Sequence, residues 1–347
     1  MDAFTVRVEK LVYGGDGLAY HAGKPVFVPF VLPGEVVDVL PIEESRKLIR
    51  ALPAELKQPA AERIEPGCRY FGRCGGCHYQ HLPYERQLEL KKNILRETLR
   101  RIGKLDWAAD IPAHASPPWE YRNRVQWKLA PHPAIPDALQ VGYYRAGSRW
   151  LMPVESCPIS SPKLNRLLEV VNRLSAERAL PLGLRGLEAF VDHRDDTLWL
   201  TLSAPRIEFD AAPLIETLRT ELDGLLSIEL RETARGQSQI DGLGWTYTDV
   251  GRHRFRVSHC SFFQANRHLL GLLAERVTHE LRGKVALDLY AGVGLLSRAL
   301  AEKFERLVAV EAHPRSAADL KANLEGLEGS ETHAGTVEDF LQRSPEK

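Results

Sequence analysis

The residues best placed to do chemistry are Cys68, Cys74 and Cys77, set in Cys68-Arg-Tyr-Phe-Gly-Arg-Cys74-Gly-Gly-Cys77. Three of the chain's five cysteines therefore fall inside ten residues. Thiolates spaced this closely can share one soft metal centre, and Gly75 and Gly76 free the backbone to turn its amides toward sulfur. Such a centre needs a fourth ligand. Cys157, in Glu155-Ser-Cys157-Pro, is the best placed of the remaining cysteines. Two metal readings stand, an iron–sulfur cluster and a four-cysteine zinc site, although zinc sites usually show two short cysteine pairs. Disulfides fit less well, because a chain without a charged and apolar leader is expected in a reducing compartment. The cysteine spacing of radical-generating clusters is absent.

A second constellation lies near the end of the sequence. Val285-Ala-Leu-Asp288-Leu-Tyr290 reads as an apolar strand ending in an acid and an aromatic. Gly292-Val-Gly294 follows, then the helical run Leu295, Leu296, Ala299, Leu300. The next strand, Leu307-Val-Ala-Val-Glu311, ends in a carboxylate about twenty residues past the glycines, the spacing at which an acid grips ribose hydroxyls. With only two glycines and no pyrophosphate to cradle, S-adenosylmethionine fits better than NAD. An ordinary α/β repeat with a glycine turn is the plain alternative.

These side chains need a scaffold. Residues 1–57 alternate like short strands, with turns at Gly14-Gly-Asp-Gly17 and Pro33-Gly34-Glu35, and predict a small barrel of the oligonucleotide-binding type. Pro83 opens an amphipathic helix over 84–102 with Leu88, Leu95, Leu99 and Ile102 on its apolar face and Gly103 after it. In Trp119-Glu-Tyr-Arg-Asn-Arg124-Val-Gln-Trp-Lys128, aromatics interleave with bases, suiting either RNA contact or a half-buried strand. Ser161 and Pro162 start a helix with Leu164, Leu167, Leu168 and Val171 inside. The strands at Leu187–Val191, Thr197–Leu202 and Leu225–Leu230 then give an α+β middle domain.

The chain of 347 residues has zero formal net charge, so no global field draws it to nucleic acid, and local patches must do so. No apolar run reaches membrane-spanning length. The reading is a soluble, cytoplasmic, monomeric protein.

Several segments together carry a resemblance. Lys10-Leu, Gly15-Asp-Gly17-Leu-Ala, Val26-Phe-Val and Leu32-Pro-Gly-Glu resemble the TRAM domain, an RNA-binding barrel. Cys68-x5-Cys74-Gly-Gly-Cys77-x2-Gln80, Cys157-Pro, Ser261-Phe-Phe-Gln264-Ala-Asn266, Asp288-Leu-Tyr-Ala-Gly-Val-Gly294 and Glu311 occur in the order expected of the RNA 5-methyluridine methyltransferases. The whole chain looks most like the iron–sulfur branch acting on 23S rRNA, with tRNA as the alternative substrate and a non-catalytic RNA-binding module as a second class. The resemblance implies a multi-domain α/β protein: a TRAM-like barrel at 1–57, a central iron–sulfur and RNA-binding domain at 58–255, and part of a Rossmann-like methyltransferase domain at 256–347. It also implies a [4Fe-4S] cluster on Cys68, Cys74, Cys77 and Cys157. S-adenosylmethionine would sit on Gln264, Tyr290 and Glu311, with Leu295 and Thr336 in further cofactor positions.

In that family a cysteine thiolate adds to uracil carbon 6, so that carbon 5 attacks the methyl sulfonium, and a base then removes the carbon 5 proton. The target base is swung out of its stack. The family's Asp-Pro-Pro-Arg motif, its nucleophilic cysteine and its glutamate base have no counterpart in residues 1–347. The expectation is therefore a C-terminally truncated chain, inactive by itself, whose first nucleotide-type strand leaves an apolar edge. Cys260 is not expected to replace the nucleophile.

Overall fold

The structure, a computed structural model, describes residues 2–343. The chain forms two compact units, Met1–Ala115 with Tyr143–Met152, and Ser116–Gly142 with Pro153–Lys347.

The first unit begins with β1 (Phe4–Arg7), β2 (Lys10–Leu11), β3 (Gly17–His21), β4 (Lys24–Val28), β5 (Val36–Glu44) and β6 (Ile49–Gln58). They form one six-stranded sheet in the order β1-β5-β6-β4-β3-β2. β1 also lies against β3, so the sheet curls around its own core. Period-two alternation explains this: Val6, Val26, Val28, Val37 and Val39 all point inward and are buried together. After β6 the chain carries no long element until α1 (Tyr84–Arg101).

Here the sequence expectation needs correcting. No residue of α1 is fully buried, and Leu90 and Ile94 are the side chains that pack on the Leu11–Leu32–Leu82 cluster. The expected Leu95 and Ile102 are exposed. The helix meets a small patch of barrel, and a contact that narrow needs only one turn's worth of apolar side chains.

The second unit is built on β7 (Arg124–Pro131), β8 (Leu139–Tyr144), β9 (Leu151–Pro153), α2 (Pro162–Ala176), β10 (Gly186–Val191), β11 (Leu198–Ala204), α3 (Ala212–Glu221), β12 (Leu225–Glu232) and β13 (Gln237–Gly242). The seven strands run β13-β12-β11-β10-β7-β8-β9, and the chain passes between the units inside β8 and β9. Ser161 caps α2 by accepting from Leu164 N, and Leu164, Leu167, Leu168 and Val171 are buried as their spacing requires. β11 is buried on both faces. Trp199 donates to Val257 O at 3.1 Å and Thr201 meets His259, while the alternate leucines turn the other way.

A hairpin of β14 (Trp245–Val250) and β15 (His253–Ser258) follows, then α4 (Leu270–Thr278). The last segment alternates β16 (Gly283–Leu289), α5 (Leu295–Ala301), β17 (Phe304–Glu311), α6 (Pro314–Asn323), β18 (Ser330–Ala334) and α7 (Val337–Arg343). Its three strands are parallel, in the order β16-β17-β18, as the β-α-β pattern demands. β17 is central, with Leu307–Val310 wholly buried, whereas edge strand β16 leaves Val285 and Leu287 exposed. No helix among the described residues is long and apolar enough to cross a membrane.

Candidate functional site

The best-formed site gathers where β16 and β17 end. Tyr290 leaves β16 with φ +64°, and Gly292 and Gly294 also take positive φ, so the chain reverses sharply into α5. Gly294 has a further reason to be glycine, because a Cβ there would stand 2.8 Å from Leu320 Cδ1. Ala291 N donates to Val310 O at 2.9 Å, which pins the turn to the neighbouring strand. Glu311 then closes the arrangement. Its carboxylate accepts from Gly292 N at 2.8 Å and from His313 N at 2.7 Å, lying beneath the glycine turn.

The other wall comes from the segment after β15. A Cβ on Gly292 would lie 3.9 Å from Phe262 O, so Ser261-Phe-Phe-Gln264 runs directly past the turn. Phe263 is buried in the core with Phe190, Trp199 and Phe255, while Phe262 and Gln264 face solvent. Tyr290 is 68% exposed, and its hydroxyl donates to Glu338 Oε1 at 3.0 Å. Tyr290, Glu311 and the Gln264 segment thus stand around one opening. Leu295 points away into the core, and Thr336 caps α7 by accepting from Asp339 N. Thr336 also lines a cavity of about 370 Å³ with Val310, Ala334 and Asp339. Asp288 is buried and receives the Ser297 hydroxyl, and burial pushes its carboxyl pKa up.

The sequence reading missed what holds these walls. α6 presents Arg315, Asp319 and Asn323 at successive i, i+4 positions, hence on one face. Asp319, wholly buried, accepts from Ser258 N, Ser258 Oγ, Ser261 Oγ and Arg256 Nε at 2.6–2.8 Å. Asn323 donates to Val293 O in the glycine turn and exchanges two bonds with the Arg256 backbone. Arg315 pairs with Glu229 of β12 at 2.6 Å. Burial pushes the Glu229 carboxyl up, but bonds from Arg315 and Arg231 outweigh it and hold the pKa at about 2. Beside it burial holds His259 down at about 4. Polar residues at four-residue spacing in the helix that follows the strand-end acid were the available signal.

The Trp119–Lys128 stretch divides. Trp127 is fully buried, and Arg124 lies over the Trp199 ring, pairs with Glu188 and donates to Ser261 O. For these two the half-buried strand is the right account, since β7 is an interior strand. Cys260 is half-buried at φ +63°, and burial raises its thiol pKa, the reverse of an activated nucleophile.

The five cysteines form no disulfides among the described residues. Cys68, Cys74 and Cys77 lie half-buried on one loop of the first unit. Cys68 N donates to Gln80 Oε1 at 3.1 Å, and Gly75 N to Tyr144 O at 3.1 Å. A Cβ on Gly76 would stand 3.6 Å from Cys74 Sγ, so this glycine lies against the sulfur. Cys157, before α2 in the second unit, is held by Asn165. The donor set suits a soft metal, but among the described residues no three His, Cys, Asp or Glu side chains form a group able to hold one. Of the four ligands that the resemblance implies, Cys68, Cys74 and Cys77 belong to one unit and Cys157 to the other.

Comparison with known proteins places this geometry. Residues 2–48 match the TRAM domain family. An uncharacterized RNA methyltransferase of Aquifex aeolicus is 31% identical over 92% of this chain and 74% of its own length. One from Thermosynechococcus vestitus is 27% identical over 97% and 79%. In fold the chain is similar to the tRNA (uracil-54, C5)-methyltransferase of Pyrococcus abyssi, solved with S-adenosyl-L-homocysteine. That match has a TM-score of 0.72 at 18% identity and covers 95% of this chain and 79% of the other. With a glycine turn over a strand-end carboxylate and a relative matched at this identity along most of its length, the chain belongs to the RNA methyltransferase family.

Proposed function

We propose that this protein serves S-adenosylmethionine-dependent methylation of uridine carbon 5 in structured RNA, with 23S rRNA as substrate, as a cytoplasmic monomer. The observation that carries the cofactor is Glu311, whose two oxygens already organise Gly292 and His313 at the carboxyl end of a parallel sheet. Each oxygen retains a lone pair for a ribose hydroxyl. Tyr290, beside the turn, and Gln264, on the segment that passes it, would take the rest of the nucleoside, with Leu295 and Thr336 in further positions. The barrel at 1–57 and the central domain at 58–255 would hold RNA, and 256–347 the methyl donor. The uridine-5 chemistry rests on the sequence resemblance.

The chemistry needs a thiolate, and residues 1–347 offer none suited to it: Cys260 has a raised pKa and the other four cysteines are the proposed metal ligands. Residues 1–347 are therefore proposed to bind donor and RNA without turning over unaided. The half-buried loop thiols support a [4Fe-4S] cluster on Cys68, Cys74, Cys77 and Cys157, and no catalytic role is assigned to it. Anaerobic purification tests the cluster: brown protein with iron and sulfide is expected, and colourless zinc-loaded protein would overturn it.

The function is tested by mapping 5-methyluridine by mass spectrometry in cells lacking the gene. Loss of one such residue from 23S rRNA is expected. Loss from tRNA would move the assignment to that substrate, and no loss in either would overturn the uridine-5 reading. Methyl transfer by purified residues 1–347 would refute the claim that they do not turn over alone.

A further inference from the structure

We propose that the Arg315–Asp319–Asn323 face of α6 is a positioning device that sets the distance between the Gln264 segment and the glycine turn. The inference rests on the reading of that opening as the S-adenosylmethionine site. α6 begins three residues after Glu311, so one helix governs three walls: Glu311 at its start, Ser261 through Asp319, and Val293 through Asn323.

A packing role alone does not account for Asp319. Leu320 and Leu324 on the same helix already fill the apolar contact with β17. A carboxylate withdrawn from water is costly unless its partners are well aimed, and apolar side chains usually stabilise such a position equally well. What Asp319 adds is direction. Its four donors come from three residues, Arg256, Ser258 and Ser261, which carry the chain out of β15 and into Phe262-Phe-Gln264. Ser261 is held from both sides, its hydroxyl by Asp319 and its carbonyl by Arg124. Asn323 does the same for the turn, since its Nδ2 donates to Val293 O at 2.8 Å between the two glycines. Binding geometry must hold to about half an ångström, and hydrogen bonds from one helix can enforce that on two non-helical segments.

Two serines provide the test, because both hydroxyls donate to the same carboxylate, at 2.7 Å from Ser258 and 2.6 Å from Ser261. Ser258 is the last residue of β15, whereas Ser261 leads into the Gln264 segment. Ser258→Ala and Ser261→Ala should lose similar thermal stability. Ser261→Ala is expected to weaken S-adenosylhomocysteine binding by roughly five- to tenfold, the scale of one lost hydrogen bond. It should also speed amide hydrogen exchange at 262–264, while Ser258→Ala leaves both readouts unchanged and Ser261→Thr restores them. Equal affinity and equal exchange in the two alanine variants would overturn the proposal. Wild-type protein that fails to bind S-adenosylhomocysteine would instead overturn the cofactor reading, and the exchange comparison would still decide whether Ser261 holds its segment.

Discussion

Replacing Glu311 by glutamine puts the proposed cofactor site to its sharpest test. In the structure Oε2 accepts from Gly292 N at 2.8 Å and Oε1 from His313 N at 2.7 Å. A carboxylate oxygen has two lone pairs, so each keeps one for a ribose hydroxyl. Glutamine retains a single oxygen, and its NH2 group must face one of the two backbone N–H groups, donor against donor. The ligand loses one hydrogen bond to a charged acceptor, a term of about 1.5–3 kcal/mol. That corresponds to roughly 10- to 150-fold weaker binding. Isothermal titration with S-adenosylhomocysteine reads this directly. Glu305→Gln is the control, because Glu305 is exposed at the far end of β17 from Glu311 and should change affinity by less than about twofold. Melting curves without ligand separate loss of binding from loss of fold. Glu311→Gln protein that remains folded and binds as tightly as wild type would refute the reasoning, since the carboxylate would then not grip the ribose.

Other consequences follow from the buried charges and the turn. Glu229 is wholly buried between Arg315 and Arg231, and breaking such a pair leaves its partners uncompensated. Both arginines reach water, so Glu229→Gln should cost about 3 kcal/mol, the low end for a buried pair. An unchanged urea midpoint would contradict this. Stability should also fall in acid. His259 titrates near 4 in the fold against 6.5 unfolded, so proton uptake favours the unfolded chain as pH drops from 6.5 to 4. Glu229, at about 2 against 4.5, contributes stability that is complete above 4.5 and lost as pH falls toward 2. Melting temperatures level above pH 6.5 and declining below it are expected; a flat profile through this window would rule the assignment out. Gly294→Ala should destabilise by about 1–3 kcal/mol, as its φ of +91° strains alanine and the new methyl meets Leu320. Urea unfolding with a wild-type midpoint would refute that account of the turn.

Much of this protein was written in local pattern. Period-two alternation predicted the strands of the barrel, and Ser161-Pro162 with its leucines predicted α2. The glycine turn and Glu311 could be read because close backbone approach and a strand-end acid depend on a few adjacent residues. Less legible were features that depend on what lies opposite. The apolar positions of α1 did not reveal that Leu90 and Ile94 would meet the barrel while Ile102 stayed in water. Arg124 and Trp127 suited either RNA contact or a half-buried strand until the fold placed them in an interior strand.

The division has one physical cause. Backbone preference, turn chemistry and amphipathic period act within a few residues, so the sequence alone determined many of the elements, their order and the glycine turn with its strand-end acid. Hydrogen bonds between distant segments have no local signature. Only the tertiary structure decided that Asp319 would hold Ser261 and that Asn323 would hold Val293. It likewise decided that the four cysteines would divide between two units.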